Sequence, residues 1–246
     1  MRANRTIMGM PIIVEVVGSD PENEALIEQV FSYLTEVDVK YSTYKDSSLI
    51  SRYNRGEIAP AELDQETKDI LAACEHWRVQ TDGYFDIHHN GLVDPSGYIK
   101  GYAIEQAAKI LRKEGIANFY ISAGGDVVAT GQNNELKPWR VGIRHPKEPA
   151  KFAKFLELSN LAIATSGNYE RGAHMYNPHT GRFAHSLLSV SVIGDSIITA
   201  DVLATSVFVM GETSGAKLVE QFGYGLVLIT PDERLHANEY ASKLFV

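Results

Sequence analysis

The segment from about Thr199 to Met210 constrains the fold more than any other part of the sequence. It reads Thr-Ala-Asp-Val-Leu-Ala-Thr-Ser-Val-Phe-Val-Met, the composition of a helix that is apolar on nearly every side. A helix with no polar face suited to water has to be covered by other elements all round. The sequence therefore predicts that this helix is buried inside the fold.

The rest of the composition is that of an ordinary globular protein. Of the 246 residues, 44% are hydrophobic and 22% are charged, which excludes disordered, collagen-like and coiled-coil classes. A net charge of −8 is unfavourable for binding nucleic acid or anionic lipid, because both require a positive field. The single cysteine, Cys74, excludes an internal disulfide framework and a cysteine-rich zinc site.

The sequence shows no sign of a membrane or export segment. No apolar stretch approaches the roughly 20 residues that a membrane span requires. The first residues, Met1–Pro11, lack the hydrophobic centre of a secretion signal. As written, the sequence predicts a cytoplasmic protein without a membrane span, and it leaves open export from a longer precursor.

Hydrophobic periodicity predicts helices and short strands in an irregular order. Further helices are expected at about Pro21–Tyr41, at Asp64–Thr81, after Gly101 and at Ser214–Phe222. Strands are expected at Pro11–Val17, Phe119–Ser122, Val127–Gly131, Trp139–Ile143, Phe152–Leu158, Leu161–Thr165, Leu187–Gly194 and Gly225–Thr230. This irregular mixture favours an α+β fold over a regularly alternating α/β sheet.

The apolar helix contains one acid and one alcohol whose spacing points to chemistry. Asp201 and Thr205 are four positions apart, so their oxygens project from the same helix face. A carboxylate and a hydroxyl on one face suit a hard cation such as Mg²⁺, which takes oxygen ligands. An alternative is that Asp201 lies in the first turn, stabilised by the helix dipole, while Thr205 bonds back to a carbonyl. The spacing alone does not distinguish these interpretations.

Two glycine-containing turns are candidates for contact with a ligand. Ser122–Asp126 contains paired glycines between two strands, which suits either close approach of backbone to a ligand or a simple hairpin. Asp94–Gly101 leads into a helix, and backbone amides there together with Lys100 would suit a phosphate. Neither segment matches a Walker sequence or a GxGxxG fingerprint.

Several other side chains suggest chemistry only weakly when taken alone. His174 is suited to act as a general base because imidazole titrates near neutrality, but it is one of eight histidines. The pair His88-His89 suggests a transition metal, although adjacent side chains diverge on a strand. Ser166 lacks the strained turn of a serine hydrolase.

Short motifs in a fixed order are spread along nearly the whole chain. They are Met8-Gly9-Met10, Ser42-Thr43-Tyr44, Asp46–Asn54, Gly83–Asp86, Asp94–Gly101 continuing into Tyr102-Ala103, Gly124-Gly125-Asp126, Thr165-Ser166-Gly167, His174–Gly181, Ala200-Asp201 and Ala204-Thr205. As an ordered set they resemble the ApbE-type flavin transferases, also called FAD:protein FMN transferases. The resemblance implies an α+β fold with mixed or antiparallel sheets flanked by helices. It also implies that residues 1–246 form a single ApbE-like domain, or two intertwined subdomains.

The resemblance also implies an activity and the residues that perform it. Members of the family use FAD and Mg²⁺, split the FAD pyrophosphate, attach FMN to a threonine or serine hydroxyl of an acceptor flavoprotein and release AMP. The implied metal ligands are the side chains of Asp201 and Thr205 and the backbone carbonyl of Gly97. His174 is the implied base that activates the acceptor hydroxyl. The implied flavin contacts are Met8, Tyr44, Tyr84, Phe85, Asp86, Asp94, Lys100 and Tyr176.

Three departures from the family pattern bear on the site. The connection Ile87–Val93 is shorter than the corresponding segment of many relatives, so flavin contacts carried by that segment are in question. Asn177 stands where relatives commonly have aspartate before proline, and Ala204 stands where some carry a second acid. A metal shell with fewer charged side chains is expected to contain more water.

Two other functions fit the same residues. An FAD pyrophosphatase would keep the metal and use water as the acceptor, giving AMP and FMN. A non-catalytic FAD-binding module would bind the dinucleotide without turnover. His174, Asp201 and Thr205 together favour an enzyme, because a carrier needs no base.

Overall fold

The computed structural model describes residues 1–148, 150–168 and 175–246, and in these residues a large antiparallel sheet is flanked by helices. The strands are β1 (Arg2–Ile7), β2 (Met10–Val16), β3 (His88–His89), β4 (Leu92–Val93), β5 (Phe119–Ala123), β6 (Asp126–Thr130), β7 (Trp139–Arg144), β8 (Phe152–Leu158), β9 (Leu161–Gly167), β10 (Tyr176–Asn177), β11 (Arg182–Phe183), β12 (Ser189–Gly194), β13 (Gly225–Ile229) and β14 (Leu235–Ala237). The helices are α1 (Glu22–Tyr41), α2 (Leu49–Asn54), α3 (Gln65–Gln80), α4 (Ser96–Lys113), α5 (Ile197–Met210), α6 (Glu212–Phe222) and α7 (Glu239–Ser242), with a 3₁₀ turn at Pro60–Glu62. This architecture confirms the predicted α+β class.

Eight strands form the main sheet in the order β1-β2-β5-β6-β9-β12-β13-β14. Each neighbouring pair in this sheet is antiparallel. The other described strands form three hairpins, β3–β4, β7–β8 and β10–β11. The turns β1–β2 and β5–β6 and the end of β9 therefore lie at the same end of the sheet.

Both faces of the central strands are covered. Alternate side chains of a strand point to opposite faces, and Val128 packs on the helical side while Val127 and Ala129 pack on the other. The helical side is filled by apolar residues of α1, α3, α4, α5 and α6. The opposite side is covered by the β7–β8 hairpin and α7. This double covering explains why every residue of β12 and β13 is buried.

Helix α5 is the buried apolar helix that the sequence predicts. It packs against α4, α6 and the sheet strands β9 and β12, and most of its residues are buried. It begins at Ile197, two residues earlier than expected, because the Ser196 hydroxyl accepts a hydrogen bond from the Thr199 amide and caps the helix. This earlier start places Asp201 in the second turn.

The prediction that a helix follows Gly101 is wrong about where that helix begins. Helix α4 already starts at Ser96, whose amide donates to the Asp94 carboxylate at 3.0 Å. Gly101 therefore lies inside the helix. A Cβ atom at this position would lie 3.1 Å from the Ile198 Cα atom, so the glycine allows α4 and α5 to approach closely.

Two elements lack a clear signal in the sequence. Strand β1 is mostly polar and forms an edge of the sheet, so it lacks an apolar alternation. Helix α2 is only six residues long and depends on its cap, Ser48, whose hydroxyl accepts a hydrogen bond from the Ser51 amide.

Within the described part of the chain, we find no helix with the length and apolarity that spanning a bilayer would need. Cys74 is buried on α3, and this burial raises the pKa of its thiol to about 12.

Candidate active site

A cavity of about 850 Å³ opens at the end of the sheet where the β1–β2 and β5–β6 turns meet the end of β9. Its walls come from these turns, from the loop after α1, from the start of α4 and from one face of α5. A two-residue turn at Gly124 and Gly125 joins β5 to β6 with positive φ angles of 57° and 92°, which confirms the hairpin interpretation of this segment. Gly124 also lines the cavity, so the hairpin brings backbone to its edge.

The structure brings nearly all of the sequence-predicted site residues to this one cavity. Its lining includes Met8, Tyr44, Tyr84, Phe85, Asp86, Asp94, Gly97, Lys100, Tyr176, Asp201 and Thr205. His174 lies outside the described residues. Met175, the next residue in the chain, lines the cavity.

Asp201 lines the cavity and is only 2% exposed. Its carboxylate accepts a hydrogen bond from the Gly101 amide at 3.0 Å. The Lys100 ammonium lies 3.3 Å from Asp201 Oδ1 and 2.7 Å from Oδ2 of Asp126, a completely buried acid. These partners come from another helix and another strand, so the interpretation in which Asp201 is stabilised at the first turn of its own helix is wrong.

One ammonium faces two carboxylates in this cluster. Burial alone would lower the pKa of Lys100, but Asp126 and Asp201 outweigh it and raise that pKa above its ordinary value, so the ammonium stays charged. Burial raises the pKa of Asp201 above the ordinary carboxyl range, and the charge of Asp126 adds to the rise, while Lys100 opposes it. The ionised cluster is therefore short of positive charge, a condition that a further cation would relieve.

Residues with hydroxyl and backbone oxygens line the same cavity as Asp201. Thr205 lies one turn further along α5, and its hydroxyl is 3.3 Å from the hydroxyl of Ser166 on β9. Gly97 lies on α4, one turn before Gly101, and also lines the cavity. A carbonyl oxygen has two lone pairs, so Gly97 keeps the capacity to accept a further positive partner.

These residues fit a hard divalent cation. The candidate donors are all oxygen atoms, the ligand type that Mg²⁺ prefers. Among residues 1–148, 150–168 and 175–246, no group of three or more histidine, cysteine or acidic side chains is arranged to hold a metal. A cation beside Asp201 would therefore depend on Thr205, backbone and water as well as on the carboxylate.

Two residues of this site have roles that the sequence does not predict. Apart from their places in the family motifs Thr165-Ser166-Gly167 and Gly124-Gly125-Asp126, the sequence indicates Ser166 as a poor hydrolase nucleophile and Asp126 as part of a glycine turn. Both lie far along the chain from the groups that they contact, so no local spacing joins them. The signals in the sequence are these two motifs and, for Asp126, an acid directly after paired glycines at a strand start.

The connection Ile87–Val93 forms a tight hairpin at the cavity rim. Strands β3 and β4 pair within it, and Asn54 holds it in place by bonding to both the amide and the carbonyl of Val93, at 2.9 Å and 2.8 Å. His88 and His89 both line the rim, and the His89 ring lies 4.4 Å from the ring of Tyr176. The short connection thus supplies its own aromatic side chains to the cavity.

Tyrosine side chains border the mouth of the cavity. Tyr44 is 93% exposed and lines the cavity from the loop after α1. The ring of Tyr84 lies 4.3 Å from that of His179. Aromatic faces at a cavity mouth suit a planar ring system.

Replacing Gly101 with alanine is expected to destabilise the protein by about 1–3 kcal/mol, because overpacking at a tight contact forces backbone apart. The new Cβ atom would lie 3.1 Å from the Ile198 Cα atom and 3.2 Å from the Asp201 carboxylate. At an exposed helical site the same change would stabilise the protein. Urea denaturation measures the difference, with Lys109→Ala on the exposed face of α4 as the control. A gain in stability for Gly101→Ala would contradict the close packing of α4 and α5.

Comparison with known proteins identifies the family. The ApbE family model matches residues 8–94 and 88–228. The FAD:protein FMN transferase of Klebsiella pneumoniae is 32% identical over 283 residues, covering 89% of this chain and 81% of the relative. That of Salmonella typhimurium is 26% identical over 286 residues, covering 90% of this chain and 82% of the relative.

Solved structures share the fold. The flavin transferase ApbE from Vibrio cholerae superposes with a TM-score of 0.86 at 22% identity, covering 99% of this chain and 98% of the other. The ApbE protein from Thermotoga maritima gives a TM-score of 0.85 at 23% identity, with the same coverage of 99% and 98%. The two segments of the family match meet at residues 88–94, in the β3–β4 hairpin. The family model matches most of this chain, so the chain belongs to the ApbE family.

Proposed function

We propose that this protein is an enzyme that transfers the FMN moiety of FAD to a threonine or serine hydroxyl of an acceptor flavoprotein, in a reaction that requires Mg²⁺ and releases AMP. The observation that carries the proposal is the oxygen-lined, cation-deficient cluster around Asp201, inside a cavity large enough for a sizeable ligand. The names of the related ApbE proteins supply the reaction class. We further propose that residues 1–246 act as a single flavin transferase domain, because the main sheet contains strands from both ends of the chain.

In this proposal Mg²⁺ would be held by the side chains of Asp201 and Thr205 and by the Gly97 carbonyl, with Ser166 beside Thr205. When bound, the cation would offset negative charge on the pyrophosphate and on the departing AMP. The protein is itself acidic, with a net charge of −8, so a dianionic group needs this compensation before another oxygen can approach. Lys100 adds one positive charge at the same wall of the cavity.

The remaining lining residues would bind and orient FAD. The proposed flavin contacts are Met8, Tyr44, Tyr84, Phe85, Asp86, Asp94, Lys100 and Tyr176. His174 would accept the proton of the acceptor hydroxyl as its oxygen attacks the FMN phosphorus, and the bond from that phosphorus to the AMP oxygen breaks. General-base assistance of this kind typically contributes about 10²–10⁴-fold to the rate.

The proposed function is tested by incubating the protein with FAD, Mg²⁺ and a candidate acceptor flavoprotein. The expected result is a fluorescent acceptor whose mass has increased by FMN less one water, together with one AMP for each flavin attached. Mass spectrometry and nucleotide chromatography measure the two products. The matched controls are removal of Mg²⁺ with a chelator and an acceptor whose target threonine is replaced by alanine. AMP and free FMN formed at the full rate with an unmodified acceptor would instead identify a pyrophosphatase.

A further inference from the structure

Asp126 is a completely buried acid that pairs with the cavity-lining Lys100, and no step proposed above uses it. It is the first residue of β6, directly after the turn at Gly124 and Gly125. A buried carboxylate is costly unless it is paired. Asp126 has two partners, because its Oδ2 atom lies 2.7 Å from Lys100 Nζ and its Oδ1 atom accepts from the Thr165 amide at 2.9 Å.

The position of Lys100 between two acids depends on Asp126. The ammonium lies closer to Asp126, at 2.7 Å, than to Asp201, at 3.3 Å. Without Asp126, the Lys100 ammonium, on a side chain that is 23% exposed, would have only the Asp201 carboxylate as a charged partner in this cluster. It would then occupy the carboxylate that a divalent cation needs, and the ionised cluster would change from a net charge of −1 to zero.

We propose that Asp126 is a positioning residue, which draws the Lys100 ammonium towards its own carboxylate, limits the pairing of that ammonium with Asp201, and so keeps the Asp201 carboxylate available to a divalent cation before any nucleotide binds. The inference rests on the cation site of the proposed function. It assigns to Asp126 a role that operates through Lys100, without contact between Asp126 and the cation or the substrate.

The second contact of Asp126 strengthens this role. By accepting the Thr165 amide, the same carboxylate ties the start of β6 to the end of β9. The next residue on β9 is Ser166, whose hydroxyl contacts Thr205. One side chain thus contacts both the Lys100 ammonium and the strand that carries the hydroxyl beside Thr205.

Asp126→Asn is a suitable test because it removes the charge and keeps an oxygen that can accept from the Thr165 amide. Binding of Mn²⁺ alone, without FAD or acceptor, is measured by the loss of the electron paramagnetic resonance signal of free Mn²⁺. We expect the dissociation constant for Mn²⁺ to rise by about tenfold or more, as is typical when a residue that supports metal ligands is removed. Wild-type affinity in Asp126→Asn would overturn the inference.

A matched control separates this effect from a general loss of negative charge. Asp38 lines the cavity and, like Asp126, pairs with a lysine, here Lys45 at 2.8 Å. Among the described residues, neither a hydrogen bond nor an ion pair joins it to Asp201 or Lys100. We expect Asp38→Asn to change Mn²⁺ affinity by no more than about twofold, as for independent sites. An equal loss of affinity in both variants would contradict a specific role for Asp126.

A double-mutant cycle tests whether Asp126 acts through Lys100. In a Lys100→Met background, the further change Asp126→Asn should weaken Mn²⁺ binding by less than about threefold, because the ammonium that it positions is gone. The same loss in both backgrounds would overturn the inference, since a purely structural role does not depend on Lys100. If Asp126→Asn does not fold, the Mn²⁺ affinity of the single variant Lys100→Met is the test. Tighter binding than in the wild type supports the inference, and weaker binding contradicts it.

The outcomes also separate this inference from the proposed function. FMN transfer without Mn²⁺ binding to the nucleotide-free protein would overturn the inference and leave the function standing. Mn²⁺ binding that depends on Asp126 and Lys100, without any FMN transfer, would support the inference and refute the function.

Discussion

Asp201→Asn is expected to lower the rate of FMN transfer by about 10³-fold or more, because Lewis-acid stabilisation is worth several kcal/mol and each 1.36 kcal/mol is tenfold in rate. The amide has nearly the same shape as the carboxylate but no charge to attract a cation. Single-turnover flavinylation of an acceptor, followed by fluorescence at increasing Mg²⁺ concentration, measures the loss. A wild-type rate at ordinary Mg²⁺ concentrations would contradict the assignment of Asp201.

The protein should survive this substitution because Lys100 keeps a charged partner. Its ammonium lies 2.7 Å from Asp126, so loss of the Asp201 charge does not leave it unpaired. The loss of rate is therefore expected in a folded protein, which circular dichroism can verify.

Ser206→Ala is the matched control on the same helix. Ser206 is buried like Asp201, but its hydroxyl donates to the Val202 carbonyl and it does not line the cavity. Its removal should leave the transfer rate within about twofold of wild type, because no group near the reacting atoms is lost. A comparable fall in both variants would show that α5 acts through its packing and not through its carboxylate.

His174→Ala is expected to lower the rate of transfer by about 10²–10⁴-fold, the usual contribution of a general base. The affinity for FAD should remain close to that of wild type, since a base acts in the transition state more than in ground-state binding. Fluorescence titration measures FAD binding, and single-turnover flavinylation measures the transfer step. Parallel losses of binding and transfer would point to a structural role for His174.

His185→Ala provides the comparison with a histidine that follows His174 in the sequence. His185 is exposed and does not line the cavity. Both its FAD affinity and its transfer rate should stay within about twofold of wild type, as is usual for surface substitutions. A similar loss of transfer in this variant would mean that the effect is not specific to His174.

The buried helix is the most predictable part of the fold. A segment with apolar residues on every side has few alternatives to burial, and α5 is covered by α4, α6, β9 and β12. The same periodicity places Asp201 and Thr205 on one face, because residues four apart on a helix are neighbours whatever surrounds them. The order of the short motifs along the chain is likewise enough to indicate the ApbE family, since it depends on the sequence alone.

Boundaries and short elements are less predictable. Gly101 suggests a helix start, but its function is to let α5 pass close to α4, which only the packed structure reveals. Strand β1 and helix α2 are short and largely polar, so neither carries a strong periodic signal. Each is held by tertiary pairing or by a local cap.

The sequence by itself determined the elements with strong periodicity, the shared face of Asp201 and Thr205, and the family of the chain, because these depend on spacing along the backbone. Only the tertiary structure decided which charges meet. Lys100, Asp126 and Asp201 lie on α4, β6 and α5, and no local rule joins residues so far apart in sequence. Their contact follows from the close approach of α4 to α5 at Gly101 and from the turn that starts β6, and it exists only once these elements have packed.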